Sequence, residues 1–431
     1  MKKQFCLRMA LAVSVGIYFF ANFQKIVMPG PIFDALMTDF SAGAGIVAGL
    51  GAAFMYFYAA VQFLAGPLAD RYGPGKLMLC GCLILCAGAA ITPFTRSMPF
   101  LYMGRIMTSV GAGSIAVGLI VEIVRVCPKS YQTVLGVCMM LGYMGGFAGG
   151  APYTRLVGRI GWRTTLAGAA AVMLLLYVLW FLFYRRGGGF SPAERPAARS
   201  GKLIDFGTFV EVLRNPLNCW FLLSNGAQFG VFFVIQTVIG QKFLRDFCLL
   251  GPTAAGAVIS LFIVVAAVAG ILWTGVNRLL GDRPILVIRI TAAAEWLAIA
   301  TLAVMVLCGC RSAVLASAAF LLLALAANRT PTITEILKMW NPENVFGSSF
   351  SLSNAACFLM PGLISNAVGW IMGCFEPTET AEGQLLYGRE TYLWIFLLLL
   401  LIGTISFLTS LLLRSKAAAN APEAPSGRKL A

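Results

Sequence analysis

Four cations and one carboxylate interrupt stretches that are otherwise apolar: Lys25, Arg105, Arg289, Arg329 and Glu295. If those stretches lie in a bilayer, each charge costs about 2.5–3.5 kcal/mol on insertion scales and must face a partner or a watery cavity. A carboxylate in that setting can carry a proton, and in a chain with no histidine few other side chains can do so. Glu295 is therefore the candidate for proton coupling, with neutralisation of an arginine on a neighbouring helix as its alternative role. Gln236 and Asn354 add amides able to hydrogen-bond a ligand or to join helices.

A second constellation is a column. Tyr58, Gln62, Gly66 and Asp70 recur every four residues, so on a helix they share one face. The column ends in a charged turn, GPLADRYGPGK at residues 66–76, between two apolar runs. So short a turn cannot leave the membrane surface, and Asp70, Arg71 and Lys76 mark where one membrane helix folds back into the next. Asp70 can cap a facing helix or pair with a cation, while Arg71 and Lys76 can reach Glu122. Gly66, Asp70, Arg71, Gly73, Lys76 and Glu122 are thus expected to form a gate, with a static turn as the alternative. A weaker copy, NRLLGDRP at residues 277–284, follows the run Ala254 to Val276 and puts Asn277 and Arg278 in the corresponding place. The repetition implies two similar halves.

Helices must position these side chains. Of the 431 residues, 59% are hydrophobic and 11% charged, against about 25% charged in soluble domains. Mean hydropathy is +0.85. Twelve apolar stretches are long enough to cross a bilayer: Leu7 to Leu36, Gly43 to Ala65, Leu77 to Ile91, Pro99 to Val121, Gln132 to Pro152, Thr164 to Tyr184, Leu217 to Ile239, Ala254 to Val276, Ile285 to Leu307, Ala313 to Leu337, Val345 to Met372 and Tyr392 to Leu413. The expected fold is an all-α polytopic membrane protein of twelve transmembrane helices in two pseudo-symmetric six-helix bundles, residues 1–184 and 217–414. A cytoplasmic linker at 185–216, with a triple glycine, Ser191-Pro192 and Arg195-Pro196, joins them, and a tail at 415–431 has a disordered composition. The opening MKKQFCLRMALAVSVGIYFFA resembles a secretory signal, but its apolar run outlasts a signal's usual core of about 7–15 residues, so it is read as a retained span.

Basic residues sort by side. With both termini cytoplasmic, the inner face carries Lys2, Lys3, Arg8, Arg71, Lys76, Arg125, Lys129, Arg185, Arg186, Arg278, Arg283, Lys338 and Arg414 among others. The outer face carries Arg96, Arg155, Arg159, Arg163, Lys242, Arg245, Arg311 and Arg389, with Glu376, Glu379, Glu382 and Glu390. This bias predicts a multi-pass protein of a bacterial-type inner membrane. The net charge of +15 is then a topology signal that meets anionic lipid headgroups, with no nucleic-acid partner required. The twelve cysteines, without histidine, read as small membrane residues and not as a metal site; Cys308, Cys310 and Cys374 are the ones able to meet on the outer face.

These segments resemble the major facilitator superfamily of secondary transporters over nearly the whole chain. The turn signature after the superfamily's second helix is matched by Gly66, Leu68, Asp70, Arg71, Gly73 and Lys76, with Gly75 where a second basic residue is usual. Its fourth-helix pattern is similar to Arg105, Gly111 and Gly113, with Ser109 where a glycine is common. An antiporter-type fifth-helix pattern is only approached: Gly145, Gly149 and Gly150 fit, but Gly146 replaces the proline. The resemblance implies alternating access around a central cavity lined by helices 1, 4, 7 and 10. Lys25, Arg105 and Arg329 lie on that set with no acid deep in the same helices, so the implied cavity favours a small organic anion. Lys25, Arg105, Arg329, Gln236, Tyr58, Gln62 and Asn354 are the expected substrate contacts.

An enzyme is not indicated. There is no histidine for general base work, no Gly-x-x-x-x-Gly-Lys-Ser/Thr loop for a nucleotide, and no acidic or cysteine cluster with metal spacing. The expected partners are an anionic small molecule, a coupling proton or ion, and membrane lipid, with the chain monomeric and without a cofactor. The alternatives are a ligand sensor on a transporter-like scaffold and a multidrug exporter, which would show a bulky apolar cavity with an acid.

Overall fold

In lipid every backbone N–H and C=O must be paired within the protein, and an apolar run achieves this by becoming a helix. The computed structural model describes residues 2–127, 131–190, 206–379 and 385–414, without the side chains of 66, 67, 70, 131–133, 206, 343 and 344. The first half comprises α1 (Lys2–Ile26), α2 (Phe33–Phe40), α3 (Ala44–Tyr72), α4 (Pro74–Phe94), α5 (Met98–Val126), α6 (Tyr131–Ala148), α7 (Ala151–Ile160) and α8 (Trp162–Arg186). After α9 (Phe206–Arg214), the second half comprises α10 (Pro216–Val234), α11 (Gly240–Asp246), α12 (Pro252–Leu279), α13 (Pro284–Leu307), α14 (Ala313–Ala327), α15 (Thr330–Trp340), α16 (Glu343–Gly373) and α17 (Arg389–Leu411). Twelve membrane-crossing units result, with α6–α7, α10–α11 and α14–α15 each forming one broken crossing. They form two pseudo-symmetric six-helix bundles. Residues 191–205 of the expected linker and all of the expected tail lie outside the described residues. We call the side that holds Lys2 and Arg414 the terminal side, and the opposite one the far side.

The expected span Leu7 to Leu36 is corrected by a break after Ile26: a 3-10 turn, Gly30–Ile32, leads into the short α2. Other breaks are stabilised by neighbours. Where α6 gives way to α7, Ser260 of the opposite half donates to the Phe147 carbonyl (3.1 Å) and accepts from the Ala151 N–H (2.9 Å). Between α10 and α11 the residues Ile235–Ile239 form a π turn, in which the Gly240 N–H donates to the carbonyl of Ile235. A Cβ at Gly240 would lie 2.2 Å from that oxygen, so glycine permits the turn.

The glycines in the second half of α6 and just past its end face two ways. Those at 142, 145 and 149 lie against α1 of the same half, whereas Gly146 meets both Ile26 of α1 and Ile263 of α12, and Gly150 meets Ser260 of α12 in the other half. The first set cements a bundle, and the second lets the bundles close on one another.

Candidate functional site

A cavity of about 370 Å³ lies between the halves. Its walls include Tyr18, Asn22 and Lys25 of α1, Tyr58 and Gln62 of α3, Tyr143 of α6, Asn225 and Phe229 of α10, Gln236 of the π turn, Arg329 at the α14–α15 break, and Asn354 and Phe358 of α16. It extends toward the terminal side past Ala116, Val117 and Ile120 of α5 and past Ile333 and Phe350. Six of the seven expected substrate contacts therefore meet in one space: Lys25, Tyr58, Gln62, Gln236, Arg329 and Asn354.

Arg105 is the exception. It is absent from the cavity wall and buried against the end of α1, where it donates to the carbonyls of Gln24, Lys25 and Met28 and to that of Leu50 in α3. The last carbonyls of a helix have no intrahelical donor, and Arg105 supplies one at the Ile26 break. Its guanidinium also lies 4.2 Å from the Phe54 ring centroid. Arg289 has a similar structural task, donating to the carbonyls of Ser410, Leu411 and Leu413 at the end of α17.

The two cavity cations differ in their surroundings. Lys25 donates to the Tyr58 hydroxyl at 3.0 Å and lies 4.2 Å from the Tyr58 ring centroid, with no acid paired to it among the described residues. Arg329 donates to the Ala326 carbonyl (2.8 Å) and the Asn225 side-chain oxygen (3.1 Å), and its Nε finds no acceptor among the described residues. Glu295 of α13 is the acid within its electrostatic reach, though not in ion-pair contact. Glu295 on a neighbouring helix thus lies near an arginine, as in the alternative role given to it from the sequence. Glu295 is fully buried, and neither of its oxygens has a hydrogen-bond partner among the described residues. Gln62 and Asn354 join each other across the halves at 3.0 Å.

On the far side the halves are shut. Asp34 of α2 pairs with Lys242 (2.6 Å) and Arg245 (3.1 Å) of α11. Lys242, whose side chain is wholly buried, also pairs with Asp246 at 2.9 Å. Asp246 in turn accepts from the Tyr387 N–H (3.0 Å) and the Tyr392 hydroxyl (2.8 Å). Burial pushes the Tyr387 phenol up to about 12, so it stays protonated. Gln241 adds a bond to Thr154 (3.1 Å) and Asn366 one to Tyr56 (2.9 Å), both between halves. Lys242 and Arg245, expected in an outer loop, instead belong to a helix that continues past the π turn. The spacing of Lys242 and Asp246 on one helix face was the available signal.

The expected gate is only partly assembled. Gly73 adopts φ +89° between α3 and α4, a turn that glycine allows. Arg71 and Lys76 are exposed, and Glu122 is bound by the Tyr184 hydroxyl (3.2 Å) and Arg125 (3.8 Å), not by either of them. Asn277 donates to Glu335 of α15 at 3.1 Å, and Arg278 is exposed. Gly66 and Asp70 lie within α3, and their side-chain surroundings are outside those described.

Twelve helical crossings in two halves around a central cavity define a polytopic membrane protein. The sequence profile of the Major Facilitator Superfamily matches residues 15–365, and the chain belongs to that family. A probable sulfoacetate transporter of Cupriavidus necator is 28% identical over 40% of this chain and 41% of its own length. The gallate transporter of Pseudomonas putida is 26% identical over 42% of this chain and 41% of its own length. The match thus spans about two-fifths of these curated relatives. In fold, the chain superimposes on a nucleoside transporter with a TM-score of 0.75 at 11% identity, covering 94% of this chain and 99% of the other.

Proposed function

We propose that the protein is a secondary active transporter that moves a small organic anion across a bacterial-type inner membrane by alternating access, as a proton symporter. One observation carries this reading: among the described residues, the charged ones in the cavity wall are Lys25 from one half and Arg329 from the other. An anion that engages both draws the halves together and favours closure around itself. Relatives named for sulfoacetate and gallate transport support an anionic solute. Glu295 is the coupling group, since a proton placed on it frees Arg329 to take the substrate as its counter-charge. In this reading the terminal side faces the cytoplasm, the working unit is a monomer, and Asp70, Arg71 and Lys76 act when that side closes.

Proteoliposomes test it with radiolabelled sulfoacetate and gallate under an imposed pH gradient. Lys25→Gln and Arg329→Gln should lose uptake, while Glu295→Gln should bind and exchange substrate but no longer accumulate it. Binding without any accumulation by the parent would instead identify a sensor. Preferential movement of a lipophilic cation would identify a drug exporter.

A further inference from the structure

We propose that the cavity selects flat aromatic carboxylates, with the carboxylate on the Lys25 ammonium and the ring against Phe358 and Phe229. This rests on the transport reading above and narrows it to a substrate class. An ammonium carries three N–H donors, and among the described residues that of Lys25 gives one, to Tyr58. The ammonium also lies 4.2 Å from the Tyr58 ring centroid and 5.9 Å from that of Phe358. Arg329 is different, because two of its nitrogens are occupied and Glu295 lies within its field. Lys25 is therefore the cavity charge most in need of an anion, and its donors are free to bind a carboxylate.

The surroundings of that charge set the rest of the ligand. Tyr58 of one half and Phe358 of the other lie 4.4 Å apart, and Phe358 meets Phe229 edge to face at 5.5 Å. Phe229 continues to Phe233 at 5.6 Å, so a run of rings leads away from the ammonium. Ring faces and edges reward a planar π system over an aliphatic body of equal size. About 370 Å³ sits near the lower end of small-ligand sites, which suits a single substituted ring.

Binding to the full-length protein in detergent, read by thermal shift and calorimetry, tests the class with benzoate, 4-hydroxybenzoate, cyclohexanecarboxylate, sulfoacetate and benzamide. The two benzoates should bind most tightly, with cyclohexanecarboxylate about 3- to 10-fold weaker, the worth of a ring contact. Phe358→Leu should erase that difference. Lys25→Gln should weaken benzoate at least tenfold without lowering the ligand-free thermal midpoint, and Lys25→Arg should restore it. If cyclohexanecarboxylate or sulfoacetate binds as well as benzoate, the aromatic selection is wrong while anion transport stands. If benzamide binds as well, or Lys25→Gln changes nothing, both fail; if neither benzoate binds at millimolar concentration, the selection is overturned.

Discussion

Replacing Asp34 with asparagine removes the acid that the first half contributes to the far-side cluster. Lys242 Nζ sits 2.6 Å from Asp34 and 2.9 Å from Asp246. Breaking a buried pair by deleting one partner costs about 3–5 kcal/mol. Asp246 remains as a partner, so the lower end applies, about 3 kcal/mol. That cost falls on the far-closed state alone, since opening the far side separates Asp34 from Lys242 in any case. At 1.4 kcal/mol per tenfold, the ratio of far-closed to far-open molecules should fall by about two orders of magnitude. Spin labels at the exposed far-side positions Ser97 and Leu249, one in each half, report the change as a longer distance by double electron–electron resonance. Asp246→Asn is the control, because Asp246 shares α11 with Lys242: it should lower thermal stability without widening the far side. An unchanged distance in Asp34→Asn, or equal widening in Asp246→Asn, refutes the assignment of Asp34 as the clasp between halves.

Arg105→Gln should lower the thermal midpoint of the ligand-free protein by several degrees, since carbonyls at the end of α1 lose their donor at about 1–3 kcal/mol per orphaned group; a parental midpoint would return Arg105 to the candidates for ligand contact. Gly150→Val should favour the far-open state, because a Cβ there lies 2.1 Å from Ser260 Oγ of the other half. Gly88→Val, whose Cβ would lie 2.7 Å from the Gly104 carbonyl of the same half, should instead destabilise the fold, and the two effects are separable by the same labels and by thermal melting. Burial pushes the Cys248 thiol up to about 11, leaving on the order of one thiolate in a thousand at pH 8. Maleimide should therefore label the exposed Cys308, Cys310 and Cys374 well before Cys248, whose rate should climb about tenfold per pH unit; equal rates at pH 8 would contradict its burial.

The crossings were legible because lipid enforces long apolar runs, whereas the break at Asn328–Arg329 fell inside the expected span Ala313 to Leu337. Lys25, Arg329, Gln236, Tyr58, Gln62 and Asn354 could be gathered from helix identity and four-residue spacing. Arg105 could not be separated from them, since one cation in an apolar run reads the same whether it holds carbonyls or a ligand. The nearness of Glu295 to Arg329 was visible only as an alternative, because it brings α13 to the α14–α15 break. Least legible was the far-side cluster. Asp34, Lys242, Asp246, Tyr387 and Tyr392 come from distant parts of the chain, and Asp34 lay within the expected span Leu7 to Leu36, which the Ile26 break ends early.

The π turn couples two things that sit at its ends. Gln236 within it faces the cavity, and Lys242 just beyond it holds Asp34. A π turn accommodates one residue more than an α turn, so relaxing it would rotate everything beyond by about 100° and shift it by about 1.5 Å. In mechanical terms the seventh crossing is a screw with one stripped thread, and Gln236 and Lys242 cannot both hold their register if that thread re-engages.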